Sequence, residues 1–202
     1  MAVKLDYIIP ESNFEAVRDR IALILKEEMD NQSVLHSDNP DYTAEFYVER
    51  FTPVDKSEGN VIIVDIAGGT LNHQTPVTQS FACSYNIDIY TEGKETSENT
   101  GYYNSSVKLH RLAGLVRHIL QSPYYDRLNF TNGIIERRFI SKIEFATINN
   151  EQDGSFTRMG RVTLDVNIHE ESNGITPIDA GGYDTVIKIE ETEKGFLLTY
   201  NN

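Results

Sequence analysis

Two long segments of alternating apolar and polar residues constrain the fold of this chain more than any other feature. Between residues 81 and 90, and again between residues 161 and 168, every second residue is apolar. A period of two predicts β-strands with one buried side and one solvent-facing side. The apolar positions are Phe81, Cys83, Tyr85, Ile87 and Ile89 in the first segment and Val162, Leu164, Val166 and Ile168 in the second.

Two other segments have the three-and-four spacing of amphipathic helices. The first is predicted to begin after Ser12, which precedes Glu15 by the three residues of a capping box, and to end near Met29. The second is predicted from residue 104 or 105 to Gln121, because Pro123 stops it. The apolar stripes are Phe14, Val17, Ile21, Ile24 and Leu25 in the first helix and Leu109, Leu112, Ala113, Val116, Ile119 and Leu120 in the second.

These elements predict an α+β fold with a mixed, mostly antiparallel sheet, two main helices packed on it and a C-terminal β-hairpin. Further strands are expected at 44–51, 61–66 and 139–145, the second alternating strand is expected to span 158–169, and the hairpin is expected at 185–190 and 196–200.

The predicted organisation is an α+β domain over residues 1–171, followed by a linker and hairpin extension over 172–202. A lone hairpin is marginal in water, so it must dock on its own domain or on a neighbouring subunit.

The charge balance argues against two classes of partner. The 202 residues include 18 basic and 31 acidic ones, a formal net charge of −13. Nucleic-acid binders and proteins that bind anionic membranes normally carry a basic patch, so we expect neither role. The single cysteine, Cys83, lies at an apolar strand position and is expected to be buried, with no intrachain disulfide.

No residue pattern predicts a catalytic, cofactor-binding or metal site. The five histidines do not show the spacing of a zinc site. A metal-dependent nuclease needs acidic residues and a lysine that converge on divalent ions. Asp41 and Glu45 loosely fit that pattern, but Tyr47 stands where the lysine is needed. The nuclease is therefore a remote alternative.

Interaction surfaces are predicted instead, in loops and in tyrosine pairs. The segments 70–79 and 91–103 are expected to be long loops at opposite ends of one strand, and such loops often carry binding. Tyrosine favours interfaces because it combines apolar area with a polar tip. The candidate interface residues are Tyr102, Tyr103, Tyr124 and Tyr125 beside the second helix, and Val186, Phe196, Leu198 and Tyr200 in the C-terminal hairpin. Partial burial against the helix ends is the alternative for the four helix-flanking tyrosines.

The order of elements over residues 10–170 resembles the tail terminator, or tail completion, proteins of long-tailed bacteriophages. The segments that carry the resemblance are FEAVRDRI at 14–21, YNIDIY at 85–90, the helix from Leu109 to Leu120 and GRVTLDVNI at 160–168. The chain is longer than compact members of that family, and its C-terminal hairpin is additional.

The resemblance implies a non-enzymatic structural protein of the virion tail or neck, assembled in the host cytoplasm. It implies a homo-oligomeric ring, commonly a hexamer, that caps the tail-tube protein and docks to a head-side connector protein. DNA would pass through the ring without specific binding, and no membrane would be involved. An adaptor or baseplate-type module of another phage or injection assembly is the alternative.

Overall fold

The computed structural model describes residues 11–37, 39–54, 58–74, 78–131, 133–147, 155–171, 187–192 and 195–200, the last two segments by their backbone only. Its helices are α1 (Asn13–Leu35) and α2 (Gly101–Gln121). Its strands are β1 (Glu45–Val48), β2 (Val61–Gln74), β3 (Thr78–Lys94), β4 (Ile135–Thr147), β5 (Ser155–Glu171), β6 (Ile187–Thr192) and β7 (Gly195–Tyr200). The predicted α+β class is confirmed.

All seven strands belong to one sheet in the order β4-β5-β3-β2-β1-β7-β6. The β1–β2 pair is parallel and every other neighbouring pair is antiparallel, as predicted for a mixed, mostly antiparallel sheet. Strand β7 lies against β1 of the same chain, with Leu197 opposite Tyr47 and Phe196 opposite Val48. The C-terminal hairpin therefore extends the sheet beyond β1.

The core lies between the two helices and one face of the sheet. Strand side chains that alternate along β3 and β5 fill it, as their period of two predicts. Except for the partly buried Phe14 and Phe81, the predicted apolar positions of both helices and both long strands are buried, and Cys83 is among them. The opposite face of the sheet carries a smaller cluster of Tyr47, Val61 and Ile63.

The backbones of helix α2 and strand β3 are in close contact. A Cβ atom added to Gly93 would lie 2.2 Å from both the Gly101 oxygen and the Ser105 nitrogen, so only glycine fits there. Next to it, the buried Thr91 hydroxyl donates a 2.9 Å hydrogen bond to the Ser105 carbonyl oxygen. These contacts fix the distance between the first turns of α2 and the sheet.

Helix α1 is longer than its sequence predicts, and its start is held differently. It continues past Met29 to Leu35, where Ser33 is still buried and Lys26 bridges Asp30 at 3.0 Å. Packing and this i,i+4 pair outweigh the weak helix preference of the segment after Met29. The side chain of Ser12 makes no capping hydrogen bond, so the predicted capping box is wrong.

Strand β5 anchors the start of α1 instead. The Asn13 backbone N–H donates to Glu170 Oε1 at 3.2 Å, and the Asn13 side chain donates to the His169 oxygen at 3.0 Å. The carboxylate from a distant strand thus satisfies a helix N–H group that a local cap would otherwise take.

The two predicted loops are largely strand and helix. Gly68 and Gly69 do not end β2, since they pair with Ser84 and Cys83 across a β-bulge. A glycine within a strand often marks such a bulge, here with φ +146° at Gly68. Beyond the bulge β2 and β3 continue as a long hairpin.

Of the other predicted loop, 91–103, only residues 95–100 lie outside helix and strand in the structure. Strand β3 extends to Lys94, and α2 begins at Gly101 because the Thr100 hydroxyl oxygen accepts the Tyr103 N–H. Strands β4 and β5 are likewise longer than predicted, whereas β1 stops at Val48, since Glu49 turns the chain with φ +48°.

Replacement of Leu112 by alanine tests the packing of α2. Leu112 is fully buried, so we expect Leu112→Ala to lower the free energy of unfolding by about 2–5 kcal/mol in a urea titration. Val107→Ala, on an exposed flank of the same helix, is the control and should cost less than about 0.5 kcal/mol. A loss below about 0.5 kcal/mol for Leu112→Ala would contradict this packing.

Candidate interaction surface

Two of the predicted tyrosines project from the first turn of α2. Tyr102 and Tyr103 are 43% and 55% exposed. The Tyr102 ring meets Phe156 edge to face at 6.3 Å, and the Arg158 guanidinium lies 4.9 Å from its centroid. Tyr102 is therefore held against strand β5, whereas most of Tyr103 is open to a partner.

Tyr103 also borders a cleft of about 670 Å³ between α2, the 95–100 loop and Asp41. Arg111 binds Asp41 at 2.6 Å, and Lys108 lies 3.6 Å from the same carboxylate. Most of the lining residues are of polar types, and they carry both signs of charge. It consists of Asp41, Glu92, Lys94, Thr96, Asn99, Tyr103, Asn104, Val107 and Lys108.

The two tyrosines after α2 differ sharply in their surroundings. Tyr124 is 91% exposed. Tyr125 is half-buried, and its hydroxyl donates to Glu28 Oε1 of α1. Burial, followed by this hydrogen bond, raises the pKa of the Tyr125 hydroxyl. Tyr124 is therefore available for a contact with a partner, whereas Tyr125 contributes to the packing between the helices.

Three exposed apolar side chains lie on strand β4, which is not among the interaction surfaces predicted from the sequence. Phe139, Ile143 and Phe145 are each 37–45% exposed. Phe145 packs edge to face against His110 at 4.9 Å, and the Arg137 guanidinium lies 4.8 Å from the Phe139 centroid. β4 ends the sheet, with β5 as its neighbour on one side. We refer to this strand and its exposed side chains as the β4 edge.

A recognisable signal for the β4 edge was present in the sequence. Strand β4 follows a helix connection and begins a hairpin, so it has one hairpin partner and can lie at the end of a sheet. Edge strands that carry apolar side chains are places where other chains can pair.

The face of the sheet away from the helices carries a ladder of polar pairs. Arg161 holds Asp88 with two hydrogen bonds of 2.6 Å. Beside it, the Ser84 hydroxyl donates to an Asp165 carboxylate oxygen at 2.6 Å. Asp65 differs, because among the described residues its buried Oδ1 atom has no hydrogen-bond partner. Burial, with smaller effects of Glu49 and Asp88, raises the pKa of Asp65 to about 6.

The residues weighed for metal chemistry are engaged elsewhere. Asp41 is paired with Arg111, and Glu45 accepts a 2.9 Å hydrogen bond from the Tyr47 hydroxyl. Within the part of the chain that the structure describes, no group of three or more His, Cys, Asp or Glu is placed to hold a metal ion.

The hairpin candidates are placed only in part. Phe196, Leu198 and Tyr200 belong to β7, and Val186 lies outside the described residues.

No family model matches the chain, and no curated protein matches it either. Neither helix described is long and apolar enough to cross a membrane.

The contact between Tyr125 and Glu28 yields a stability prediction. We expect Tyr125→Phe to lower the free energy of unfolding by about 1 kcal/mol in a urea titration, because it removes one hydrogen bond to a carboxylate at a half-exposed site. Tyr124→Phe is the matched control and should leave stability unchanged, since Tyr124 is exposed. Equal effects of the two substitutions would contradict the assignment.

The raised pKa of Asp65 yields a pH prediction. Its pKa is higher in the folded chain than the ordinary value of 3.8, so the stabilisation from protonation is complete below about pH 3.8 and is lost as the pH rises through about 6. Asp65→Asn cannot ionise, so the variant should gain stability relative to the parent between about pH 4 and pH 7. Denaturant titrations at several pH values measure this, with the exposed Asp126→Asn as control. A pH-independent difference would contradict the prediction.

Proposed function

We propose that the chain is a structural subunit of a homo-oligomeric ring, a tail terminator or neck component of a long-tailed phage. The ring, a hexamer in this proposal, caps the tail tube and joins it to the head-side connector. The proposal rests on the resemblance in element order, and the observed order of helix, strands, long strand, helix and long hairpin agrees with that resemblance.

The observation that carries the proposal is the β4 edge. Ile143 and Phe145 are exposed on the helix side of a strand at the end of the sheet, and Phe139 is exposed on the other side of the same strand. Exposed apolar side chains grouped on one element are typical of protein–protein interaction sites. A subunit of a ring needs such a surface, because every copy contacts two neighbours.

The charge of the chain supports the same role. A net charge of −13 disfavours adhesion of DNA to the protein surface. In the proposed ring, DNA passes through the lumen without specific binding, and repulsion between like charges lowers the resistance to its passage.

An adaptor of another phage or injection assembly is the second candidate. The exposed tyrosines at the two ends of α2, Tyr103 and Tyr124, favour it, because they suit a partner that differs from the chain itself. An adaptor of this kind would form a heterocomplex without a ring.

Native mass spectrometry and negative-stain microscopy at micromolar concentration test the proposal. We expect one cyclic oligomer with a central opening, and we expect it to bind the end of isolated tail tubes. A chain that stays monomeric and leaves tail tubes uncapped would overturn the proposal. A stable ring-free heterocomplex would favour the adaptor.

A further inference from the structure

The two ends of the sheet are compatible with each other in direction. Strand β4 runs parallel in space to β3, because each is antiparallel to β5. Strand β6, at the other end, runs opposite to β3, as the pairings through β2, β1 and β7 require. If two copies are placed head to tail, the β4 of one copy therefore meets the β6 of the next as an antiparallel pair.

The regular part of β4 is the part that β6 can pair with. Register shifts interrupt β4 between Ile135 and Arg137 and between Ile140 and Lys142. Such bulges discourage pairing along the first half of an edge strand. From Lys142 to Thr147 the register with β5 is regular, and residues 142–145 of this stretch can stand opposite residues 187–190 of β6.

The sequences of the two segments are complementary in one antiparallel register. With Ile143 opposite Ile189, oppositely charged residues take facing positions on the two strands at two places. These pairs are Lys142 with Glu190 and Glu144 with Lys188. Opposite charges and apolar pairs that face each other across neighbouring strands stabilise a sheet.

This register also keeps each row of residues on one face of the sheet. Ile143 is paired with the helix-facing Val162, and Glu144 with Arg161 on the polar face. At the other end of the sheet, Ile189 pairs with Leu198, and the neighbouring residue Leu197 pairs with Tyr47. Because successive residues of a strand alternate between the two faces, Leu198 and Ile189 belong to the face opposite to that of Tyr47. Tyr47 belongs to the polar face, so Ile189 occupies a helix-face row, as Ile143 does.

The distribution of charge along the chain favours a head-to-tail contact. Residues 101–168, which include α2, β4 and most of β5, contain nine basic and six acidic residues. The remaining residues contain nine basic and 25 acidic ones, which completes the totals of 18 and 31. The basic segment that contains β4 in one copy therefore attracts the acidic remainder of the next copy, whereas a contact between two β4 edges would bring two basic segments together.

We infer that the partner of the β4 edge is the β6 strand of a second copy, paired antiparallel with Ile143 opposite Ile189, so that the sheet continues from subunit to subunit. Main-chain hydrogen bonds supply affinity and the charged pairs select the register. The contact is heterologous, so repetition gives a ring when the rotation between copies closes. This inference rests on the proposed function, because it describes the contact by which the subunits of that ring associate.

Disulfide trapping tests the pairing in the full-length chain. A chain with Ile143→Cys is mixed with a chain with Ile189→Cys and oxidised. Within one chain these positions lie six strand spacings apart, about 29 Å, so a bond between them must join two copies. We expect covalent dimers on a non-reducing gel. A mixture of Ile143→Cys and Lys188→Cys, one position out of register, should give few, and the unmodified chain with its buried Cys83 should give none.

Charge exchange provides an independent measurement. We expect Lys142→Glu alone and Glu190→Lys alone each to weaken oligomerisation about tenfold in sedimentation experiments, and the double variant to restore it. Lys26→Glu makes the same charge change on α1 and should leave oligomerisation unchanged. Circular dichroism verifies that each variant is folded.

The outcomes separate the inference from the proposed function. Covalent dimers from Ile143→Cys chains alone would assign β4 to a twofold contact with another β4 and overturn the inference. A ring that forms without trapping and without charge rescue would overturn the inference and leave the proposed function standing. A chain that stays monomeric at all concentrations tested would overturn both.

Discussion

The close contact between α2 and strand β3 is the constraint on which the rest of the structure depends. At Gly93 the helix backbone approaches the strand so closely that no side chain fits. A second small residue, Gly160 on β5, makes room for Leu109 of the helix and Phe145 of β4. Because α2 lies over β3 and β5, its apolar stripe covers these two strands, and β4 lies at the margin of the helix, where His110 contacts Phe145. The partial exposure of the β4 edge is therefore a consequence of the position of the helix.

The two faces of the sheet are stabilised by different interactions. The helix face is an apolar core of closely packed side chains, and its stabilisation derives mainly from burial. The other face combines a small apolar cluster with ordered polar pairs such as Arg161 with Asp88. The edges of the sheet, the ends of α2 and the cleft beside Tyr103 are surfaces that a partner can reach.

Patterns within single segments predicted the fold class, both helices and the core positions, because periodicity reflects which side of an element is buried. Features set by distant residues were not predictable in the same way. Gly68 indicates a strand end locally, but after a bulge at Ala67 it pairs with Ser84 and the strand continues. The start of α1 depends on Glu170, which is far away in sequence. The tyrosine pairs were predicted from residue type, yet Tyr125 is engaged with Glu28. The position of β4 after a helix and before a hairpin is compatible with an edge strand, and the strand order establishes that it is one.

The pairing of β7 with β1 has a kinetic consequence. The paired residues Tyr47 and Leu197 are 150 positions apart, the difference of their numbers. Closing so long a loop carries an entropic cost, and non-local strand pairs slow folding. Until β7 pairs with it, β1 offers an open edge to any copy nearby. Intramolecular closure does not depend on protein concentration, whereas capture of a neighbour's hairpin does. Refolding at low protein concentration therefore favours pairing of β7 with β1 of the same chain. Synthesis at high local protein concentration favours exchange of hairpins between copies.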